Sequence, residues 1–580
     1  MGNFLSRFCS ANHPKSAELP VTDIVSYAFD RQTGYDADTK PLFINAEDPS
    51  QFLTANQTTT LVRQLIAGLH AAGLQKGDAV LLHLANHYLY AALFFAIIGA
   101  GGIVCGANPA YQSFELNHIV DLSRPRFIIT SDSTTSLALV QQVCTKQGIP
   151  LSRIFTLPSN TGHHPLQLQH QDNNPTAPNP NTASPDSDDS PIGRPLASLL
   201  RHGETQWMTL SSASEMRTTT ACYYSTSGTT GLPKLAALSH HALVAQQTVL
   251  PTHNTPTTET IRLAALPLFH VFGAAWALFV TVRHGQPVYV VPRFSLTPFL
   301  EYVARYRISE TYVAPPVVHA LNRLDDAVTQ TKLSSLRYIG VGGAPIDAVA
   351  LGKLRSKLHA DATVSQVWGM TEFGVATVFR AGENDETGSI GRLLDTYEMR
   401  LVGVDGRDVV GEGKVGELWI RTPGAMSGYL RHEMSGSEVA EGGWVRTGDT
   451  VHVKGGKLYV TGRAKELIKV RGWHVAPAEI EAVLLQHPDV ADCAVVGTTS
   501  ADGQAEVPRA YVVRQARPGV EKAAPISAQD VFDFARQQLA SYKKLDGGVV
   551  FVDRIPRTTS GKTQRFKLAQ MGAEGASFVV

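Results

Sequence analysis

Glycines, hydroxyls and one lysine crowd the run Tyr223-Tyr-Ser-Thr-Ser-Gly-Thr-Thr-Gly-Leu-Pro-Lys-Leu-Ala-Ala-Leu-Ser-His240, a composition suited to gripping phosphate. Gly228 and Gly231 permit positive φ and close backbone approach, while Ser225, Thr226, Ser227, Thr229 and Thr230 add hydroxyl donors beside loop amides. Lys234 supplies a cation. Pro233 and Leu235 break the G-x-x-x-x-G-K-[ST] order of a P-loop, so a P-loop NTPase is disfavoured. A second group stands in Gln366-Val-Trp-Gly-Met-Thr-Glu-Phe-Gly374, where Glu372 is a hard oxygen ligand suited to a magnesium ion and Trp368 offers an aromatic plane. Taken alone, Thr371-Glu372 could cap a helix and Trp368 could be a core residue.

Four further stretches accompany these two: Val341-Gly-Gly-Ala-Pro345, Trp444-Val-Arg-Thr-Gly-Asp449, Gly462-Arg-Ala-Lys-Glu-Leu-Ile-Lys-Val-Arg-Gly-Trp473 and Arg557-Thr-Thr-Ser-Gly-Lys562. Together, from about Ile44 to Lys567, they resemble the adenylate-forming superfamily of acyl- and aryl-CoA synthetases, luciferases and peptide-synthetase adenylation domains, and among these the 4-coumarate-CoA ligase-like enzymes most of all. The resemblance implies an ATP- and Mg²⁺-dependent acid–thiol ligase. The carboxylate first attacks the α-phosphate of ATP and expels pyrophosphate; coenzyme A then takes the acyl group as a thioester.

By the same resemblance, residues 225–231 and Lys234 hold phosphates, Thr371 meets the α-phosphate, and Glu372 holds the metal. Gly343, Ala344, Gln366, Trp368 and Gly369 border adenine, while Asp449 and Arg463 take the ribose. His270, in Leu266-Pro-Leu-Phe-His-Val-Phe-Gly273, borders the acyl pocket; on composition alone it reads as a core histidine. Lys465 is the hinge, Lys469, Arg471 and Gly472 face coenzyme A, and Lys562 is the lysine of the adenylating step, an ammonium that needs no shifted pKa for that work. Gly342-Gly343-Ala344 departs from the group's frequent Gly-Ala-Ala, and Val367 stands where a Gly commonly follows the Gln. No Asp near His270 would pair a substrate ammonium, and no carrier-protein serine motif follows residue 567, which disfavours an amino-acid substrate. The alternatives are an adenylate-forming enzyme that passes acyl-AMP to a carrier protein or oxygen, and a non-catalytic membrane-anchored binding protein.

The elements that must position these residues follow from patterning. Residues 61–75 carry apolar positions at helical spacing, and short apolar runs at 79–82, 127–130, 263–266, 288–291, 311–314 and 338–341 alternate with helical stretches. The expected fold is α/β: a large N-terminal domain of packed mixed sheets with flanking helices, and a small mobile α+β domain at the C-terminus. The expected divisions are a lead-in over 1–43, the large domain over 44–461 and the small domain over 462–580. A polar, Pro- and Asn-rich stretch near 160–195 lacks the apolar residues to offset chain entropy and reads as a disordered insertion. Residues 88–107 are apolar enough to suggest a membrane span, but Gly99, Gly101, Gly102 and Gly106 argue for a buried helix-to-strand passage.

With 580 residues and 43% hydrophobic content the chain can bury large cores, and 51 Lys plus Arg against 51 Asp plus Glu give no field for nucleic acid. The expected partner is a small-molecule carboxylic acid, with the protein a monomer or homodimer. Cys9, Cys105, Cys144, Cys222 and Cys493 show no zinc spacing and suit a reducing, cytoplasmic compartment. The first residues lack the apolar stretch of a secretory signal and the last do not read S-K-L, so neither secretion nor peroxisomal import is expected. Met1-Gly-Asn-Phe-Leu-Ser6 fits the myristoylation pattern at Gly2, and Cys9 could carry palmitate, which would place the enzyme peripherally on a membrane.

Overall fold

The computed structural model describes residues 19–30, 34–158, 193–226, 233–250, 259–430, 439–463, 466–470, 473–500, 506–515, 526–558, 561–571 and 576–577. Gly2, Cys9, nearly all of the insertion expected near 160–195, Lys465, Arg471, Gly472 and Ser227 to Gly231 lie outside the described residues, as does the side chain of Lys469.

Two eight-stranded sheets carry the large N-terminal portion. One begins at Gly428–Tyr429, passes through the hairpin Lys234–Ser239 and Thr220–Thr226, and continues through parallel strands Ile103–Ala107, Ala79–His83, Phe127–Ser131 and Ile154–Leu157 to Arg194–Pro195. The other runs Gly374–Thr377, Thr363–Met370, Tyr338–Gly342, Glu310–Val313, Arg262–Ala264, Val288–Val290, Phe43–Asn45, Phe52–Leu53, parallel except at its two edges. The inner strands of both are buried on both faces, which is why they read as apolar runs without alternation. The expected strands near 79, 127, 263, 288, 311 and 338 are all present within a residue or two.

The helix expected over 61–75 spans Ala55–Ala71. Thr54 and Gln57 close a capping box that starts the helix at Ala55, six residues before the apolar periodicity begins. The apolar stretch 88–107 is a wholly buried helix, Tyr90–Gly99, followed by a turn with Gly101 at φ +83° and the strand Ile103–Ala107. Among the described residues no helix is long and apolar enough to cross a membrane.

A five-stranded antiparallel sheet, including Glu398–Val402, Gly416–Arg421, Trp444–Lys454 and Lys457–Arg463, packs its buried face against the residues around Phe373. The small C-terminal portion follows. Strands Ile468–Val470 and Trp473–Val475 form a separate antiparallel pair that shares a core with a mixed sheet built on the long pair Val490–Thr499 and Glu506–Arg514 and with helices Pro477–Leu484 and Ala528–Gln538. The fold is the mixed α/β arrangement of large and small domains that the sequence implies.

Candidate active site

The segment expected to grip phosphate lies between two antiparallel strands in which Thr226 and Lys234 are the last paired residues, so the strands hold its two ends together. Tyr111 Oη lies 3.3 Å from Ser225 Oγ on one side of the hairpin. On the other, the Lys234 ammonium sits 4.8 Å from the Tyr429 ring centroid, and Tyr429 Oη donates to Glu372 Oε1 at 2.6 Å. Tyr429 thereby links the loop's cation to the expected metal ligand. It lies 57 positions from Glu372, and only the pairing of Gly428–Tyr429 onto the hairpin brings it there.

Thr371 and Glu372 form the turn between strands Thr363–Met370 and Gly374–Thr377, and both are buried. Two glycines shape this turn. A Cβ on Gly369 would stand 2.2 Å from Gly374 O, and Gly374 adopts φ +79° with the Gln246 amide oxygen 2.5 Å from where a Cβ would be. The protein's own packing therefore demands Gly369, independently of any base beside it. Gln366 is likewise committed: its amide nitrogen donates to Gly388 O and Ser389 O, both at 3.2 Å. Gly342 is pressed by Val367 O and the Phe272 ring, and Gly343 turns the chain at φ +90° ahead of Ala344.

Asp449 and Arg463 face each other across neighbouring strands, with Arg463 Nε donating to Asp449 Oδ1 at 2.9 Å and the Trp368 indole N–H donating to Oδ2 at 3.0 Å. Trp368 is thus neither a free plane nor a plain core residue; its N–H orients the carboxylate. Burial opposes the Arg463 charge, but Asp449, Glu466 and Glu372 hold its pKa above the ordinary value.

His270 Nδ1 accepts from Phe272 N at 3.2 Å and caps the helix Val271–Ala274, which leaves the proton of the neutral ring on Nε2. Dense packing, then the charge of Lys562, push its pKa down to about 3, so the ring is a neutral donor. Beyond it a π-helical turn, Ala275–Phe279, carries Trp276, whose ring stacks on Tyr312 at 4.1 Å. Phe272, Trp276, Tyr312 and Leu266 line a small cavity of about 20 Å³, with Phe272 two residues along the chain from His270.

Lys562 reaches this site from the far end of the chain. Burial, then Arg463, lower its pKa, while Glu372, Asp449 and Glu466 pull the other way. The role expected of Lys562 needs no shifted pKa; desolvation of the buried ammonium is what lowers it here. Its turn sits against the large portion: Gly561, at φ +83°, passes so close to Ala314 that a Cβ would lie 2.8 Å from Ala314 Cβ. Lys562, Glu372, Asp449, Arg463 and His270 are therefore brought together, joined by Trp368 and Tyr429. Among the described residues no three His, Cys, Asp or Glu side chains converge to hold a metal. Glu372, the metal ligand that the resemblance implies, is a buried hard oxygen donor that fits a magnesium ion sharing phosphate oxygens.

This is the site of an enzyme that activates carboxylates with ATP. The AMP-binding enzyme family matches residues 29–430, and its C-terminal domain matches 479–562. The chain belongs to that family and is an AMP-forming acid–thiol ligase. It is 43% identical to a nicotinic acid–CoA ligase of Penicillium canescens, over 95% of this chain and 98% of the relative. It is 40% identical to another nicotinic acid–CoA ligase, of Aspergillus fumigatus, over 95% and 97% of the two chains. Its fold matches the crystal structure of an anthranilate CoA ligase in complex with anthranoyl-AMP, with a TM-score of 0.80 at 23% identity over 96% and 98% of the chains.

Proposed function

We propose that the chain joins a compact aryl or heteroaryl acid to coenzyme A through an acyl-AMP, using Mg²⁺-ATP. The convergence of Lys562 with Glu372, Asp449 and Arg463 carries this reading, because it gathers the charges that adenylation requires from segments that are distant in sequence. Asp449 would accept from the ribose hydroxyls while Trp368 and Arg463 fix its orientation. Thr371 and residues 225–231 with Lys234 would hold the phosphates; Gly343, Ala344, Gln366 and Gly369 would shape the adenine side. Glu372 would hold the magnesium ion, which when bound neutralises phosphate charge.

Lys562 would place a positive charge beside the carboxylate oxygen that attacks the α-phosphorus and the non-bridging oxygens that gain charge. His270, neutral with Nε2–H outward from its cap, is a donor for the acyl oxygen. The small domain, taken as 462–580, would then turn about Lys465 to bring Lys469, Arg471 and Gly472 to coenzyme A.

A compact substrate fits the small cavity walled by the stack of Trp276 on Tyr312. The two nicotinic acid–CoA ligases that share about two-fifths of the sequence support it. The test is a pyrophosphate-release screen over aryl, medium-chain and long-chain acids, with and without coenzyme A. Aryl acids should lead, and thioester should form only with coenzyme A; a lead for long-chain acids would overturn the substrate class.

A further inference from the structure

Arg262, on the strand Arg262–Ala264, is 5% exposed and Trp276 is 4% exposed, and both side chains line the cavity beyond His270. Arg262 Nε is tied to Glu310 Oε1 at 2.6 Å, which neutralises the guanidinium. Its Nη1, however, has no hydrogen-bond partner, and neither has Trp276 Nε1. A buried donor left unmade forfeits its hydration without compensation, so two such donors around one small cavity are a feature to be explained. Leu266, Phe272, Ala277 and Val288 line the cavity with apolar side chains that offer these donors nothing, and the Tyr312 hydroxyl, also on the lining, is likewise without a partner.

We propose that Arg262 and Trp276 are specificity residues that read a neutral hydrogen-bond acceptor carried by the substrate ring away from its carboxylate. This rests on the reading of the chain as an aryl acid–CoA ligase. The chemistry of the pair fixes the class of acceptor. Glu310 already balances the Arg262 charge, so a second carboxylate on the substrate would meet no net positive charge, whereas a ring nitrogen, hydroxyl or carbonyl oxygen needs only an N–H. A fatty acyl chain or a plain phenyl ring would leave both donors unsatisfied. A site built to hydrogen-bond a substrate group rejects the isostere that lacks it far more strongly than an apolar wall rejects a methylene. The π-helical turn contributes by placing Trp276 over Tyr312, so the indole is held on one face and cannot swing to another acceptor.

Pyridine-3-carboxylate and benzoate have the same shape and differ in the acceptor, so they test the inference directly in the full-length protein. For each acid, kcat/KM is measured by pyrophosphate release and by thioester yield with coenzyme A. The unaltered protein should prefer pyridine-3-carboxylate about tenfold or more, the worth of one good hydrogen bond. Trp276→Phe keeps a ring on Tyr312 and removes the N–H; Arg262→Lys keeps a charge for Glu310 and removes Nη1. At least one should bring the ratio to within about twofold of unity, a change that loosened packing alone would not make selective. Equal kcat/KM for the two acids in the unaltered protein, as expected if water fills the cavity end, would overturn the inference while leaving the aryl ligase standing. A preference that survives in both variants would also overturn it. Release of pyrophosphate with long-chain acids but with neither ring acid would instead remove the aryl reading on which the inference rests.

Discussion

Arg557 and Asp492 form a two-point ion pair, Nη2 to Oδ1 at 2.7 Å and Nε to Oδ2 at 3.3 Å, and the remaining Arg557 nitrogen grips the turn that bears Lys562. That nitrogen, Nη1, donates to Gly561 O at 3.1 Å and to Thr563 Oγ1 at 2.9 Å, one residue to either side of the lysine. Thr558 completes the turn by donating its N–H to Lys562 O and accepting from Lys562 N. The lysine is thus held by its neighbours before any substrate arrives, and Arg557 is a positioning residue. Arg557→Lys cannot span these partners and should lower acyl-AMP formation by about tenfold to a hundredfold, in keeping with hydrogen bonds to a charged group. Thioester synthesis from supplied acyl-AMP should be much less affected. Equal losses in both half-reactions would assign Arg557 a general structural role.

Lys562→Ala should suppress acyl-AMP formation by about a hundredfold to a thousandfold, the usual cost of removing one electrostatic stabiliser, and spare the second half-reaction. Pyrophosphate release and thioester yield from supplied acyl-AMP separate the two. Equal loss in both would show that the lysine holds structure and does no chemistry.

The pH profile follows from the same burial. Lys562 loses its proton below the ordinary value of 10.5, so adenylation should fall on the alkaline side earlier than an exposed lysine would allow. Lys562→Arg should carry no such limb in whatever activity remains, since guanidinium does not titrate there. The linked stability has the opposite slope: the unfolded chain holds this proton to higher pH than the folded one, so Lys562 contributes a gain in stability as pH rises through that window. On the acid side His270, titrating at about 3, should contribute no limb between about pH 5 and 7. An alkaline limb that persists in Lys562→Arg would show that another group sets it.

Much of this was legible in the sequence, and the reason differs by feature. Strands buried on both faces, such as Ala79–His83 and Tyr338–Gly342, announce themselves as apolar runs. The resemblance located Thr371, Glu372, Asp449, Arg463 and Lys562, which the fold gathers. What could not be read were relations between distant positions. Tyr429 bonds Glu372, Trp368 orients Asp449, and Arg262 meets Trp276 across a cavity only because sheets set them opposite one another. Reasons were harder still: Gly369 looks like a concession to a nucleotide, yet Gly374 O alone excludes a side chain there.

Asp449→Ala should cost stability as well as nucleotide binding. It leaves the Arg463 guanidinium, only 30% exposed, and the Trp368 N–H without their acceptor. Partial solvent access moderates the loss to about 1–3 kcal/mol, read as a lowered denaturation midpoint. Asp449→Asn should lose less stability, because an amide oxygen can still accept one of the two bonds. A midpoint unchanged in Asp449→Ala would show that the pair is not coupled to folding.

The rotation proposed for the small domain is bounded by residues fixed to one side or the other. Arg463 is bound to Asp449 in the five-stranded sheet, whereas Glu466 pairs with Arg565 of the small domain at 3.3 Å and Ile468 is buried in that domain's core. Lys465 lies in the sequence between these two attachments, with Glu466 N and Leu467 N both donating to Arg463 O at 3.0 Å. A rotation that carried Lys562 away and brought Lys469 in would therefore concentrate on Lys465. Lys465→Pro fixes φ near about −65° and should leave pyrophosphate release measurable while lowering thioester synthesis at least tenfold. Lys465→Ala, which keeps backbone freedom, should retain the second half-reaction and so separate the backbone effect from loss of the side chain. Undiminished thioester turnover in Lys465→Pro would place the pivot elsewhere.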